Sequence, residues 1–188
     1  MNTRSNETTD ADPPGEDNRE KRVLPGHECG PLDANFRSLV AKQPFFAGMK
    51  PQQIATVTDS ALMMQFEAGE WIFLEGDFAN RFYLILEGEV VLETEADEGA
   101  RIPIQVVGPG DDLGWSWFFA PYHFHFSARA IERTRVLCFY ATRLRDQCEQ
   151  DHELGYELVK RIAEVTLSRL QATRKQLLKN IVATQIPA

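Results

Sequence analysis

The spacing of apolar and polar residues divides the 188-residue chain into three regimes. The first 32 residues are rich in Asp, Glu, Asn, Thr, Pro and Gly and almost free of apolar side chains. Such a stretch cannot offset its ordering entropy, so a solvated tail is expected over 1–32. "NFRSLVAKQPFFAGM" is amphipathic and is broken by Pro44. In "KPQQIATVTDSALMMQFEAG", Pro51 suits the first turn of a helix, and Ile54, Val57 and Leu62 make a partial helical stripe. From Met63 to Tyr140 the pattern shifts to short β-branched and aromatic runs, punctuated by Gly69, Gly76, Gly88, Gly99, Gly108 and Gly110. Closely spaced short strands predict a barrel or sandwich, with "EADEGAR" as an exposed hairpin tip.

After Thr142 the period is helical again, to about Ile181. Leu158, Ile162 and Val165 form one stripe. Val159, Ala163, Thr166, Leu170, Thr173 and Leu177 form a second, stepping by four and three. Two stripes on one helix imply two partners, the barrel and a second copy of the helix, and the dimer seam is expected to include Ile162 and Val165. The expected organisation is a tail (1–32), a helical lead-in with a β-barrel (33–142), C-terminal helices (143–182) and a short end (183–188). The fold class is mainly β with flanking helices.

Composition narrows the function classes. Hydrophobic residues make up 43% and charged residues 26%, as in soluble globular proteins. No apolar run approaches the ~20 residues of a membrane span, and the N-terminus has no apolar signal core, so a cytoplasmic location away from membranes is expected. Cys29, Cys138 and Cys148 are odd in number and lack C-x-x-C spacing, which signals neither a disulfide framework nor a zinc site. The net charge of −8 is concentrated in the first 132 residues, and the remainder is net basic. An acidic body argues against binding DNA through phosphate neutralisation. No Ser/His/Asp or Cys/His set and no G-x-x-x-x-G-K-[ST] is present, so no catalytic residues are assigned and no enzyme is expected.

The most unusual stretch is "GPGDDLGWSWFFAPYHFHFSARA", Gly108 to Ala130. It opens like a phosphate-binding loop and then presents four aromatics in the five residues Trp115–Phe119. Such a cluster either lines a pocket for a flat, apolar molecule or plugs the site. A short helix cannot bury all four against one barrel, so some are expected to face a cavity or a partner. Asp111 and Asp112 are expected to cap the short helix that follows. His123 and His125 alternate along an extended stretch, which permits metal binding, but no third ligand is evident.

The order of these segments resembles the cyclic nucleotide-binding domain of the catabolite activator family. "PFFAGMKPQQI" is similar to that family's opening segment. "FEAGEWIFLEGDFANRFYLILEGEVVL" resembles its barrel core, with Gly69, Glu70, Gly76, Asp77, Tyr83 and Gly88 in place, and "VGPGDDLG" resembles the approach to its phosphate-binding cassette. The resemblance covers about Pro44 to Leu178. It implies a β-roll or jelly-roll barrel followed by a long dimerisation helix, and a regulatory, non-catalytic role.

Two departures stand out. Members that bind cyclic nucleotide usually read Gly-Glu-(Leu/Ile/Met)-Ala-Leu at the cassette start, where the carboxylate takes the ribose hydroxyl and backbone amides receive the phosphate. Here Gly114-Trp115-Ser116-Trp117-Phe118 stands there. The family's Pro-Arg-(Ser/Thr)-Ala, whose arginine pairs with the phosphate, falls on His123-Phe124-His125-Phe126 when counted without gaps from "ARAIE". The family's base-contacting helix positions fall on Arg169 and Leu170. Arg169 is thus expected to face the pocket, stacking on Trp115 or Trp117 or receiving an anion, or else to snorkel. The candidate ligand residues are Gly114, Trp115, Ser116, Trp117, Phe124, His125 and Arg169. The second departure is that ten residues follow Leu178 where the family's transcription factors carry a winged helix-turn-helix, so a sensor half without its DNA reader is expected.

The leading functional expectation is therefore a homodimeric sensor of a ligand other than cyclic nucleotide, seated in the barrel beside the cassette. The alternatives are a plugged protein-interaction module and a weak cyclic nucleotide binder. No cofactor follows from the residues, although the family includes a haem-sensing variant that leaves an axial role open for His123 or His125.

Overall fold

The computed structural model describes residues 26–28, 34–96 and 100–185. Helix α1 (Ala34–Ala41), a single 3-10 turn (Pro44–Phe46) and helix α2 (Pro51–Thr58) lead into the barrel. Pro44 and Pro51 each sit in the first turn, where a missing N–H costs nothing. The turn buries Phe45 against Phe82, ring centroids 4.9 Å apart, and Phe46 against Phe139, 5.4 Å apart. Leu62, counted above with the α2 stripe, belongs instead to the next strand, because the helix ends at Thr58.

Among the described residues there are nine strands, the first ahead of α1 and the rest after α2: β1 (His27–Glu28), β2 (Ala61–Phe66), β3 (Trp71–Phe73), β4 (Arg81–Glu87), β5 (Val90–Glu95), β6 (Arg101–Val107), β7 (Asp112–Leu113), β8 (Ser127–Ala130) and β9 (Thr134–Tyr140). They form two antiparallel sheets, ordered β1-β2-β9-β4-β7 and β3-β8-β5-β6, the jelly-roll arrangement. Between β4 and β5 the chain steps from one sheet to the other at Gly88, whose φ is 88°. A Cβ there would stand 2.6 Å from the Arg133 carbonyl oxygen, so only glycine permits the step. Pro103 sits on β6, an edge strand, where its missing donor breaks no ladder. The β5–β6 hairpin closes through Ala96 N–H donating to the Ala100 carbonyl at 2.7 Å, and residues 97–99 of the expected tip lie outside the described residues.

One part of the expected tail is structured. His27 and Glu28 pair with Gln65 and Met64 at the edge of β2. Gly26 lies so close to Met64 and Phe66 that a Cβ would fall within 2.8 Å of both. The expectation of a solvated tail over 1–32 is corrected at these residues, where backbone pairing supplies what the side chains lack; residues 1–25 lie outside the described residues. Deleting residues 1–30 should therefore lower the thermal midpoint by a few degrees, the loss of about 1 kcal/mol of edge pairing, as read by circular dichroism. An unchanged midpoint would show that the edge pairing contributes nothing.

After the barrel come α3 (Ala141–Gln150) and the 34-residue α4 (His152–Gln185). Asp151 separates them, its Oδ1 accepting the amides of Glu153 and Leu154 at 3.0 and 3.1 Å as an N-cap. Leu154, Leu158 and Ile162 are buried against the core and Val165 packs beside them. Val159, Leu170 and Leu177 of the second stripe are exposed, as are Leu167 and Leu178. This corrects the expected seam. Ile162 and Val165 face the barrel, so the stripe free for another partner is the one through Val159, Leu170 and Leu177. Among the described residues no helix is long and apolar enough to cross a membrane.

Candidate ligand site

The loop from β6 to β7 is set by its own carboxylate and backbone. Asp111 Oδ2 accepts the Gly108 amide at 2.9 Å, Gly110 N–H donates to the Ile85 carbonyl at 2.9 Å, and Ile85 N–H donates back to the Asp111 carbonyl at 2.9 Å. Strand β7 then pairs with β4, and Gly114, φ 80°, turns the chain into a 3-10 turn over Trp115–Phe118. A Cβ on Gly114 would meet Phe124 at 2.8 Å and the Arg81 carbonyl at 3.2 Å. No side chain caps this turn, so the expected capping role of Asp111 and Asp112 is not realised. Asp111 holds the preceding loop, and Asp112 is engaged elsewhere.

The seven candidate residues separate into three environments. Trp117 is fully buried, 6.0 Å from Phe82 and 5.0 Å from Phe118 between ring centroids, and its Nε1 has no hydrogen-bond partner. Ser116 is buried beside it. Arg145 of α3 donates to the Trp117 carbonyl at 2.6 Å and lies over the Tyr122 ring, which pins the turn to the helices. Trp115 is half-buried against Phe119 and His125, whereas Phe119, His123 and His125 are exposed. His123 leans on Phe78 and His125 on Trp115. Among the described residues no group of three His, Cys, Asp or Glu side chains could hold a metal ion.

Phe124 points into the barrel. It is buried and stacks on Phe73, 3.9 Å between centroids at 16°. Phe73 stacks in turn on Tyr83 at 5.9 Å, and Tyr83 meets Phe66 edge-on at 6.5 Å. Four rings, Phe124, Phe73, Tyr83 and Phe66, thus run in series through the interior. Burial pushes the Tyr83 phenol well above its usual range and Cys138 up to about 12, so both stay neutral. The Tyr83 hydroxyl is buried without a partner.

Arg169 lies apart from the aromatic cluster. Its guanidinium donates to the Asp112 carbonyl and stands 3.3 Å from Asp112 Oδ1, with the two side chains only 16% and 5% exposed. Burial raises the Asp112 carboxyl above its ordinary value, and the Arg169 charge opposes that rise. The expected stacking of Arg169 on Trp115 or Trp117 is replaced by this ion pair, which ties α4 to β7. The pair flanks a cleft of about 690 Å³ between α4, the Pro44–Gly48 turn and the end of β6, and Arg169 is the one candidate residue that lines it. In the sequence Asp112 was given only a capping role, and Arg145 and Phe73 were not singled out. The available signal was a second acidic residue after the turn, on a strand too short to be seen by alternation.

A family profile described as the cyclic nucleotide-binding domain matches residues 63–151. A solved structure from Geobacter metallireducens GS-15, of a protein provisionally described as cyclic nucleotide-binding, is 30% identical. It superposes with a TM-score of 0.65 over 71% of this chain and 97% of its own. The chain belongs to the cyclic nucleotide-binding domain family. A CRP-like cAMP-activated global transcriptional regulator of Mycobacterium tuberculosis (strain ATCC 25618 / H37Rv) is 27% identical over 149 residues, which are 79% of this chain. The chain spans 64% of that regulator's length. The fold is shared as well by the regulatory subunit of a cAMP-independent protein kinase A from Trypanosoma brucei, TM-score 0.62 at 20% identity over 76% of this chain and 52% of that one.

Proposed function

We propose that this chain is a homodimeric regulatory domain whose cassette is closed to cyclic nucleotide and which signals through its long helix. The observation that carries this reading is Phe124. At the position counted as the family's phosphate-pairing arginine, its ring is buried against Phe73 and occupies the barrel interior. With Trp115 in place of the carboxylate, two charge-assisted hydrogen bonds are lost. At about 1.5–3 kcal/mol each, their loss weakens binding by a factor on the order of a hundred or more. The same aromatic packing favours the plugged alternative over the ligand expected in the barrel beside the cassette. That this fold carries a subunit described as cAMP-independent supports the idea that the architecture can regulate without that ligand. The exposed row Val159, Leu170 and Leu177 is the surface for a second copy.

Isothermal titration of the purified chain with cAMP and with cGMP tests the reading. The expected result is no saturable binding tighter than about 100 μM. Low-micromolar affinity for either nucleotide would mean that the rings open, and the closed-cassette reading would fail.

A further inference from the structure

We propose that the cleft between α4 and the Pro44–Gly48 turn is a binding site for a small organic amine, one ammonium group on a compact apolar body. Its volume of about 690 Å³ lies within the ~300–1,000 Å³ typical of small-molecule sites. Of the candidate residues only Arg169 lines it, and Gly114–Trp117 and Phe124 do not, so it lies apart from the aromatic turn. Phe45 and Val107 on the barrel side and Val165 on α4 provide apolar walls.

The charged groups around these walls decide the sign of the ligand. Every cation there already has a carboxylate. Lys160 and Arg161 both pair with Glu157, at 2.7 and 2.5 Å, and Arg169 pairs with Asp112 at 3.3 Å. Arg161 is further held by the Ala47 carbonyl at 2.7 Å. The acceptors are not matched in this way. Asp112 Oδ2 is buried with no hydrogen-bond partner, and Glu164 enters no ion pair among the described residues. Unsatisfied buried acceptors are costly, and a donor-bearing cation removes that cost. An anion would instead have to displace Glu157 or Asp112 from its arginine. Because α4 forms one wall and the barrel with its leading turn the other, occupancy favours the docked position of the helix. The inference does not depend on whether the cassette is closed.

The test is isothermal titration of the full chain with phenethylamine and, separately, with phenylacetate, which offers the same apolar body with the opposite charge. Saturable binding of phenethylamine, one per chain, without binding of phenylacetate is expected. Glu164 is exposed, so Glu164→Gln leaves the fold intact, and it should weaken the amine by about tenfold, one charge-assisted hydrogen bond. Phenylacetate binding as tightly as the amine would overturn the proposal. So would an amine affinity unchanged in Glu164→Gln, or no saturable heat from the amine at about 10 mM. A cAMP titration of the same sample reads nucleotide binding and the amine and phenylacetate titrations read the charge preference of the cleft, so failure of one reading leaves the other standing.

Discussion

Ile162→Glu should unfold the domain, whereas Leu170→Glu combined with Leu177→Glu should leave it folded and convert it to monomer. Ile162 is fully buried against the core. A carboxylate there loses its hydration and meets no partner, a cost of several kcal/mol against a total stability of about 5–15 kcal/mol. Leu170 and Leu177 are 64% and 57% exposed in the single chain, so the same substitution costs the monomer little. With Val159, Ala163, Thr166 and Thr173 they follow a four-three repeat along one face of α4, the geometry of a helix pair, and like charges across such a seam repel. Circular dichroism reports the fold and sedimentation velocity the mass. A folded monomer from Ile162→Glu, together with a dimer that survives the double substitution, would return the seam to the first stripe.

Trp117→Ala should cost about 3–5 kcal/mol in urea unfolding, the range for removing a fully buried large aromatic. The indole sits at the meeting point of three elements, the cassette turn, β4 through Phe82, and α3 through the Arg145 bond to its carbonyl. Neither the turn nor the helix can close the void without giving up that anchor. Trp115→Ala provides the contrast. Its ring is half-buried against Phe119 and His125, so it should cost clearly less. If the two substitutions cost the same, the turn is not packed as a plug and the interior is more open than the ring stack implies.

Much of the architecture was legible in the sequence because its determinants are local. Alternating runs between glycine turns gave the barrel, Pro44 and Pro51 marked the two lead-in turns, and a sustained helical period gave α4. The cassette's aromatic character was equally plain, because it is a matter of which residues occupy seven consecutive positions after Leu113. What the sequence could not decide is which way each group faces once distant segments meet. Two apolar stripes on α4 are equivalent by period, and only contact with the barrel selects Leu158 and Ile162 over Val159 and Leu170. The strand at His27–Glu28 has no apolar signal, since an edge pairing rests on backbone hydrogen bonds. Arg169 and Asp112 lie 57 residues apart, and nothing local in the chain pairs them. Only the docking of α4 beside β7 removes water from both and makes a buried pair of them, because desolvation belongs to the assembled structure and to no segment of the chain.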